Sequence, residues 1–328
     1  MKLEIETRVV RWPLPPGGAA RGRTERVSIL IRMFDGEGGV GYGEAAPLPG
    51  MSPDTLDQAI DALTDTVEPP ASVPSARFAF ETALASAEAY RTGVPMSVVL
   101  GGHNDAPVPT IPVVDTPDEA QIAWALGVRT FKLKLGPHDI HRLDAFATAL
   151  PDARFRVDAN RSWPDADAHA LLDEMRRFPV DFVEEPTARS RELVFDDRVR
   201  TPIALDESLV GITDAELAEL HASPRLAAVV IKPTLHGLTR ALALAVRSRW
   251  PIISHALEGP IGFAACCEVA LACGRGQSMG LVPHAGLSWW GVRPRQPSFY
   301  ELRPAGPGLG FDELWRLDEF GPIGEAPP

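Results

Sequence analysis

The sequence is short of cysteine, of basic charge and of long apolar runs. Its three cysteines, Cys266, Cys267 and Cys273, fall in one apolar stretch, FAACCEVALACG. Their spacing matches no zinc motif, so they read as small buried hydrophobes. Lysine and arginine number 32 against 44 aspartates and glutamates, a net charge of −12. A phosphate-backbone partner calls for a basic face, and nucleic acid is excluded as the expected ligand. No stretch approaches the roughly 20 apolar residues that cross a bilayer. The start, MKLEIETRVVRW, alternates apolar and polar residues where a signal peptide has an apolar core. No membrane association is expected, and the cytoplasm is the expected location.

What is present is ordinary globular composition, 45% hydrophobic and 23% charged, over 328 residues. Leu3 to Arg11, Arg26 to Arg32 and the segment ending VGYGEAAPLPG read as an antiparallel meander. Helices follow over Pro53 to Val67 and Ala76 to Tyr90, from apolar residues spaced three and four apart. Residues 1–107 are therefore expected to form an α+β domain.

After Val108 short apolar strands alternate with amphipathic helices, the pattern of parallel βαβ units. Strands are expected at Thr110–Val114, Thr130–Leu135, Phe155–Asp158, Phe182–Glu184, Ile203–Asp206, Ala227–Ile231, Pro251–Ser254 and Ser278–Val282. Helices are expected at Pro117–Leu126, Pro164–Phe178, Asp214–His221, Leu238–Arg249 and Gly262–Cys273. Such a repeat closes as a (β/α) barrel or stays an open doubly wound sheet, and periodicity alone does not decide. The chemistry below favours a barrel over residues 108–283. The Pro-, Gly- and Trp-rich tail, 284–328, is expected to pack back on the first domain.

Three consecutive strands end on an acid: Asp158 in RFRVDAN, Glu184 in DFVEEP and Asp206 in PIALDES, spaced 26 and 22 residues apart. In a parallel barrel these ends share one rim. Acids at such places also serve as helix N-caps, but three adjacent carboxylates repel one another unless a hard divalent cation lies among them. Mg2+ suits that donor set best, and Mn2+ accepts it too.

The second strand, FKLKLG, points Lys132 and Lys134 to one face, and the sixth, AAVVIKP, ends on Lys232. Inward lysines call for a partner. One account is ion pairing with the carboxylates. The other is crowding of Lys132, Lys134 and a cation, which lowers an ammonium pKa until the neutral amine acts as a base. The order of a lysine, three acids and a lysine around the rim favours the second.

In order and spacing, KLKLG, VDAN, VEEP, LDES and IKP resemble the motifs of the enolase superfamily, in its muconate-lactonizing subgroup. GYGEAAPLPGMSPDTL, RVDANRSW and SHALEGPIG are most similar to segments of the o-succinylbenzoate synthases of menaquinone biosynthesis. The resemblance implies a modified enolase-like barrel with an α+β capping domain. It also implies a lyase that abstracts the proton beside a substrate carboxylate and stabilises the enediolate on Mg2+. Lys134 matches the base, Lys232 the second lysine, and Asp158, Glu184 and Asp206 the metal ligands. Asn160, Glu185 and Glu207 flank them as supporting partners. Lys132 would orient the carboxylate and hold down the pKa of Lys134. Arg156 matches an arginine of the family's third-strand motif and is assigned to substrate binding, with a salt bridge inside the barrel mouth as the alternative.

Ser254, Glu258 and Gly262 lie where strand seven meets its helix, and free amides there would receive a second carboxylate. Pro13 to Arg23 reads as a lid. The expected partner is a small-molecule carboxylate, and self-association into a homo-oligomer is left open. His255, Trp289 and Trp290 depart from the synthase pattern. LVPHAGLSWWG lacks the D-x-D of dipeptide epimerases. An N-acylamino acid racemase is the rival reaction, and a carboxylate-binding barrel without turnover is the rival of another class.

Overall fold

The computed structural model describes residues 4–14, 23–64, 68–102, 107–274, 276–290, 300–304 and 306–310. The proposed lid falls almost wholly outside them, as do the side chains of Trp289 and Trp290. The chain divides into two compact units, one of residues 1–110, 232–246 and 253–328, the other of 111–231 and 247–252.

In the first unit β1 (Glu4–Pro13), β2 (Glu25–Phe34) and β3 (Val40–Ala45) pair antiparallel in that order. Helices α1 (Leu56–Thr64) and α2 (Pro74–Thr92) follow, then the short α3 (Met96–Val99). The alternating glycines of β3 explain how α2 packs. A Cβ at Gly43 would lie 2.0 Å from the Ala79 carbonyl oxygen, and one at Gly41 1.8 Å from that of Ala83. The helix backbone therefore rests directly on the strand through an alanine face, Ala76, Ala79 and Ala83, which joins Ile29, Ile31 and Met33 in one core. Both helices are placed where the apolar spacing puts them, with α1 starting three residues after Pro53 and the end of Pro53–Val67 beyond Thr64 lying outside the described residues. The tail re-enters this unit through Gly308, which bridges Pro95. A two-residue strand, β4 (Val108–Pro109), pairs antiparallel with β11 (Glu301–Leu302).

The second unit alternates strand and helix. Helix α4 (Pro117–Ala125) precedes β5 (Thr130–Lys134), α5 (Arg142–Ala149), β6 (Arg154–Asp158) and α6 (Ala168–Met175). Then come β7 (Val180–Glu184), α7 (Ser190–Phe195), β8 (Ile203–Leu205), α8 (Asp214–Ala222) and β9 (Leu226–Ile231). Strand β10 (Pro251–Ile253) completes the sheet, while α9 (Leu238–Arg247), but for its last residue, and α10 (Pro260–Cys273) lie in the first unit. Strands β5 to β10 lie side by side in chain order, and the pairs from β5 to β9 are parallel. This is the arc of a (β/α) barrel. Capping boxes at Thr116/Glu119 and Thr213/Glu216 start α4 and α8, each worth about 1 kcal/mol.

The first and eighth expected strands are reduced to single bridges, Thr110 to Met279, Val113 to Lys132 and Ser254 to Gly280. Pro109 and Pro112 have no N–H to donate, so a continuous ladder cannot form through Thr110–Val114. Helices α5 and α7 fall between expected strands, as the repeat requires, at places for which the sequence sets no bounds. Helix α6 occupies only the centre of Pro164–Phe178. Among the described residues, no helix is long and apolar enough to cross a membrane.

Candidate active site

Alternation on β5 buries Phe131 and Leu133 completely on one face and leaves Lys132 and Lys134 on the other. The outer face packs on aromatic side chains, with Phe155 6.1 Å from Phe146 and 6.4 Å from Phe131 between ring centres. Parallel register then aligns Lys134 with Asp158 and Asp158 with Glu184, so base candidate and two acids form one row at the strand ends. Asp206 follows β8 directly and opens a 3-10 turn over Glu207–Leu209.

The Lys132 ammonium sits between two of these acids, 2.9 Å from Asp158 Oδ2 and 2.8 Å from Glu184 Oε2. Burial by itself disfavours its charge, but Asp158 and then Glu184 outweigh that, and its pKa is held above the ordinary lysine value. Lys132 therefore lies against the proposed ligands Asp158 and Glu184, the ion pairing that the sequence offered as one account of the inward lysines. Among the described residues no three carboxylate, imidazole or thiol side chains converge on a point by themselves. What Asp158 and Glu184 converge on is a cation, and that is the property a divalent metal site requires.

Glu185 is fully buried and accepts hydrogen bonds from the amides of Asp206 and Ser208, both at 2.8 Å. The Asn160 amide donates to Asp158 Oδ1 at 3.0 Å. Both residues thus touch a proposed ligand or its backbone. Glu207 lies in the turn after Asp206, partly exposed. Arg161 and Ser208, which sequence reading passed over, complete this layer. The signal was present in DANR and DES, but nothing local says that the two segments meet.

Arg156 is a correction. Its guanidinium lies 3.8 Å from Asp181 and over the rings of Phe182, at 5.3 Å, and Trp250, at 5.8 Å. Asp181 is near the start of β7 and Trp250 precedes β10, so the side chain runs back along the strands, away from the rim. A salt bridge forms, but toward the strand starts and not in the barrel mouth where the alternative put it.

In the first unit, Lys232 is 9% exposed directly after β9 and opens the turn Pro233–Leu235. The expectation of free amides ahead of α10 is corrected here as well. Glu44 from β3 occupies them, with Oε1 taking the Gly259 amide at 2.7 Å and Oε2 that of Gly262 at 2.9 Å. Ser28 donates its hydroxyl to Glu44 at 2.6 Å. Arg26 donates to the carbonyls of Ala256 and Leu257 at 3.1 and 3.2 Å, and to Pro47 and Ala46. Glu258 is fully buried, and its Oε2 takes the Ala256 amide at 2.7 Å. Burial pushes its carboxyl up to about 7, with Arg26 opposing. Ser254 donates its hydroxyl to the Gly280 carbonyl at 3.1 Å. The Gly262 amide is thus taken by Glu44, Glu258 is buried, and Ser254 stays partly exposed. His255 stacks on His284 at 5.2 Å, and His284 Nε2 donates to the Glu258 carbonyl at 2.8 Å.

Residues 115–313 match the family model described as enolase C-terminal domain-like. The chain is 33% identical to an o-succinylbenzoate synthase of Thermosynechococcus vestitus over 72% of its own length and 78% of the relative's. A dipeptide epimerase from Methylococcus capsulatus, solved with Mg and the dipeptide L-Arg-D-Lys, superposes with a TM-score of 0.77. It is 26% identical, and the match covers 94% of this chain and 99% of that one. An N-succinyl Arg/Lys racemase from Bacillus cereus, 21% identical, shares the fold with a TM-score of 0.79, over 94% and 95% of the two chains. Lysine and carboxylates at successive strand ends, on a (β/α) barrel accompanied by an α+β cap, are thus found in a chain that belongs to the enolase superfamily.

Proposed function

We propose that the protein is an o-succinylbenzoate synthase, a lyase that removes water from 2-succinyl-6-hydroxy-2,4-cyclohexadiene-1-carboxylate to leave aromatic 2-succinylbenzoate. The observation that carries the reading is the row Lys134, Asp158 and Glu184, with a cation already gripped by the two acids. It is supported by the identity to an o-succinylbenzoate synthase over most of both chains.

The donor set suits Mg2+, with Mn2+ as a substitute: hard carboxylate oxygens from Asp158 and Glu184, and Asp206 as the third ligand. When bound, the cation supplies Lewis-acid charge where negative charge develops on the substrate carboxylate. Lys134 takes the proton α to that carboxylate and returns it to the departing hydroxyl as water leaves from the same face. Lys232 is assigned the second positive charge toward the developing anion. Glu185 holds the backbone of Asp206 in place. The substrate is a small carboxylate, and the pathway served is menaquinone biosynthesis in the cytoplasm.

The test is ultraviolet absorbance when purified protein meets the succinyl cyclohexadiene carboxylate, with and without Mg2+. A fast loss of the diene that EDTA abolishes is expected. If the diene persists while the protein exchanges the α-proton of N-succinylamino acids in deuterated water, the racemase replaces the synthase.

A further inference from the structure

Behind the acids at the ends of β6, β7 and β8 lies a second tier of side chains that joins the three turns. Glu185 Oε1 takes the amides of Asp206 and Ser208, as above. Its Oε2 takes the Ser208 hydroxyl at 2.9 Å and Arg161 Nε at 3.0 Å. Arg161 Nη2 donates to Ser208 Oγ at 3.0 Å, and the Arg161 amide donates to the Glu185 carbonyl at 2.7 Å. One guanidinium on the β6 turn therefore reaches the β7 turn and the β8 turn together.

The backbone shows what this arrangement demands. Asn160, Arg161 and Glu185 have φ of 46°, 59° and 43°, left-handed values that cost a non-glycine residue on the order of 1 kcal/mol or more. Asn160 and Arg161 come two and three residues after Asp158, and Glu185 comes directly after Glu184. They turn the chain sharply after each acid, so that Arg161 and Glu185 face one another. Strain of this kind persists only where the surroundings over-determine it.

We propose that Arg161 and Ser208 are positioning residues for a divalent-cation site at Asp158, Glu184 and Asp206, acting through Glu185. The inference rests on the reading of those three acids as ligands. A carboxylate fixed at one oxygen still rotates. Arg161 and Ser208 hold the second oxygen of Glu185, which locks its plane and with it the amides of Asp206 and Ser208. A small hard cation demands near-octahedral geometry at about 2.0–2.1 Å, so loosening the Asp206 turn costs affinity. Supporting partners of metal ligands are typically worth about 10- to 100-fold in binding.

The test is Mn2+ binding by the folded protein, read from the loss of the free-ion EPR signal well below the melting temperature. Variants are Arg161→Asn, whose side chain tolerates the left-handed backbone, Arg161→Lys and Ser208→Ala. Arg161→Asn is expected to raise the Mn2+ Kd about tenfold or more. Ser208→Ala should give a smaller rise, and Arg161→Lys should recover part of the loss. A purely structural ion pair predicts a lower melting temperature with Mn2+ affinity unchanged. If wild type binds Mn2+ and both Arg161→Asn and Ser208→Ala stay within twofold of it, the positioning role is overturned. If folded wild type binds no Mn2+, the ligand assignment itself falls and takes this inference with it.

Discussion

Glu44 accepts the amide proton of Gly262 at 2.9 Å across 218 residues of chain, so a strand of the N-terminal sheet supplies the N-terminal cap of α10. Glycine is required at 262 because a Cβ there would stand 2.7 Å from the Glu258 Cβ. Glu44 is fully buried beside Arg26. Replacing it with alanine strands two amides and the Ser28 hydroxyl and removes a carboxyl group from beside Arg26.

Glu44→Ala is accordingly expected to lose about 3 kcal/mol or more of unfolding free energy, since uncompensated buried polar and charged groups cost that much. Urea denaturation measures it. A loss under about 1 kcal/mol would mean that the stranded groups find other partners.

Lys134→Ala is expected to lower turnover of the cyclohexadiene carboxylate at least a thousandfold, because an essential base supplies about 10²- to 10⁴-fold and is used here for two proton transfers. Steady-state rates together with Mn2+ titration check it. Normal turnover would remove Lys134 from the chemistry and favour the barrel that binds without converting.

Glu258 makes stability depend on pH. Its folded pKa of about 7 lies above the ordinary 4.5, so the folded state holds a proton that the unfolded state has released between those values. Its contribution is complete below about pH 4.5 and is lost as pH rises through 7, a change on the order of a few kcal/mol. Glu268, also pushed up to about 7 by burial, acts in the same window. Chemical denaturation between pH 5 and 8 should show stability falling with pH, less steeply in Glu258→Gln. An identical slope in the variant would refute the assignment.

Gly43→Ala should disrupt the contact of α2 with β3, because the new methyl lands 2.0 Å from a main-chain oxygen that no rotamer change can move. A loss at or beyond the usual overpacking cost of about 1–3 kcal/mol is expected from denaturation midpoints. A variant as stable as wild type would show that the helix shifts freely.

Much of this was legible in the residues themselves. The βαβ periodicity gave β5 to β10, six of the eight expected strands, and KLKLG, VDAN, VEEP and LDES put lysines and acids at their ends, because side-chain alternation and parallel register are local rules. Arg156 was misread for a physical reason. Lying on the same strand face as Asp158 does not fix which way a long side chain runs along it, and Phe182 and Trp250, distant in sequence, draw it back. Gly262 was misread because the occupant of its amide, Glu44, comes from the other end of the chain. Helices α5 and α7, of eight and six residues, are too short for a convincing helical period.

The ammonium of Lys132, on β5, joins β6 and β7 through charge. Two carboxylates facing each other without a counter-charge would resist folding, and many small metal sites assemble only once their ion arrives. Here the neutralising charge is tethered to the next strand and comes with the polypeptide. Neutralising or shortening that one side chain would therefore set Asp158 against Glu184 across the β6–β7 pair, and the cost would fall on the parallel register that aligns them.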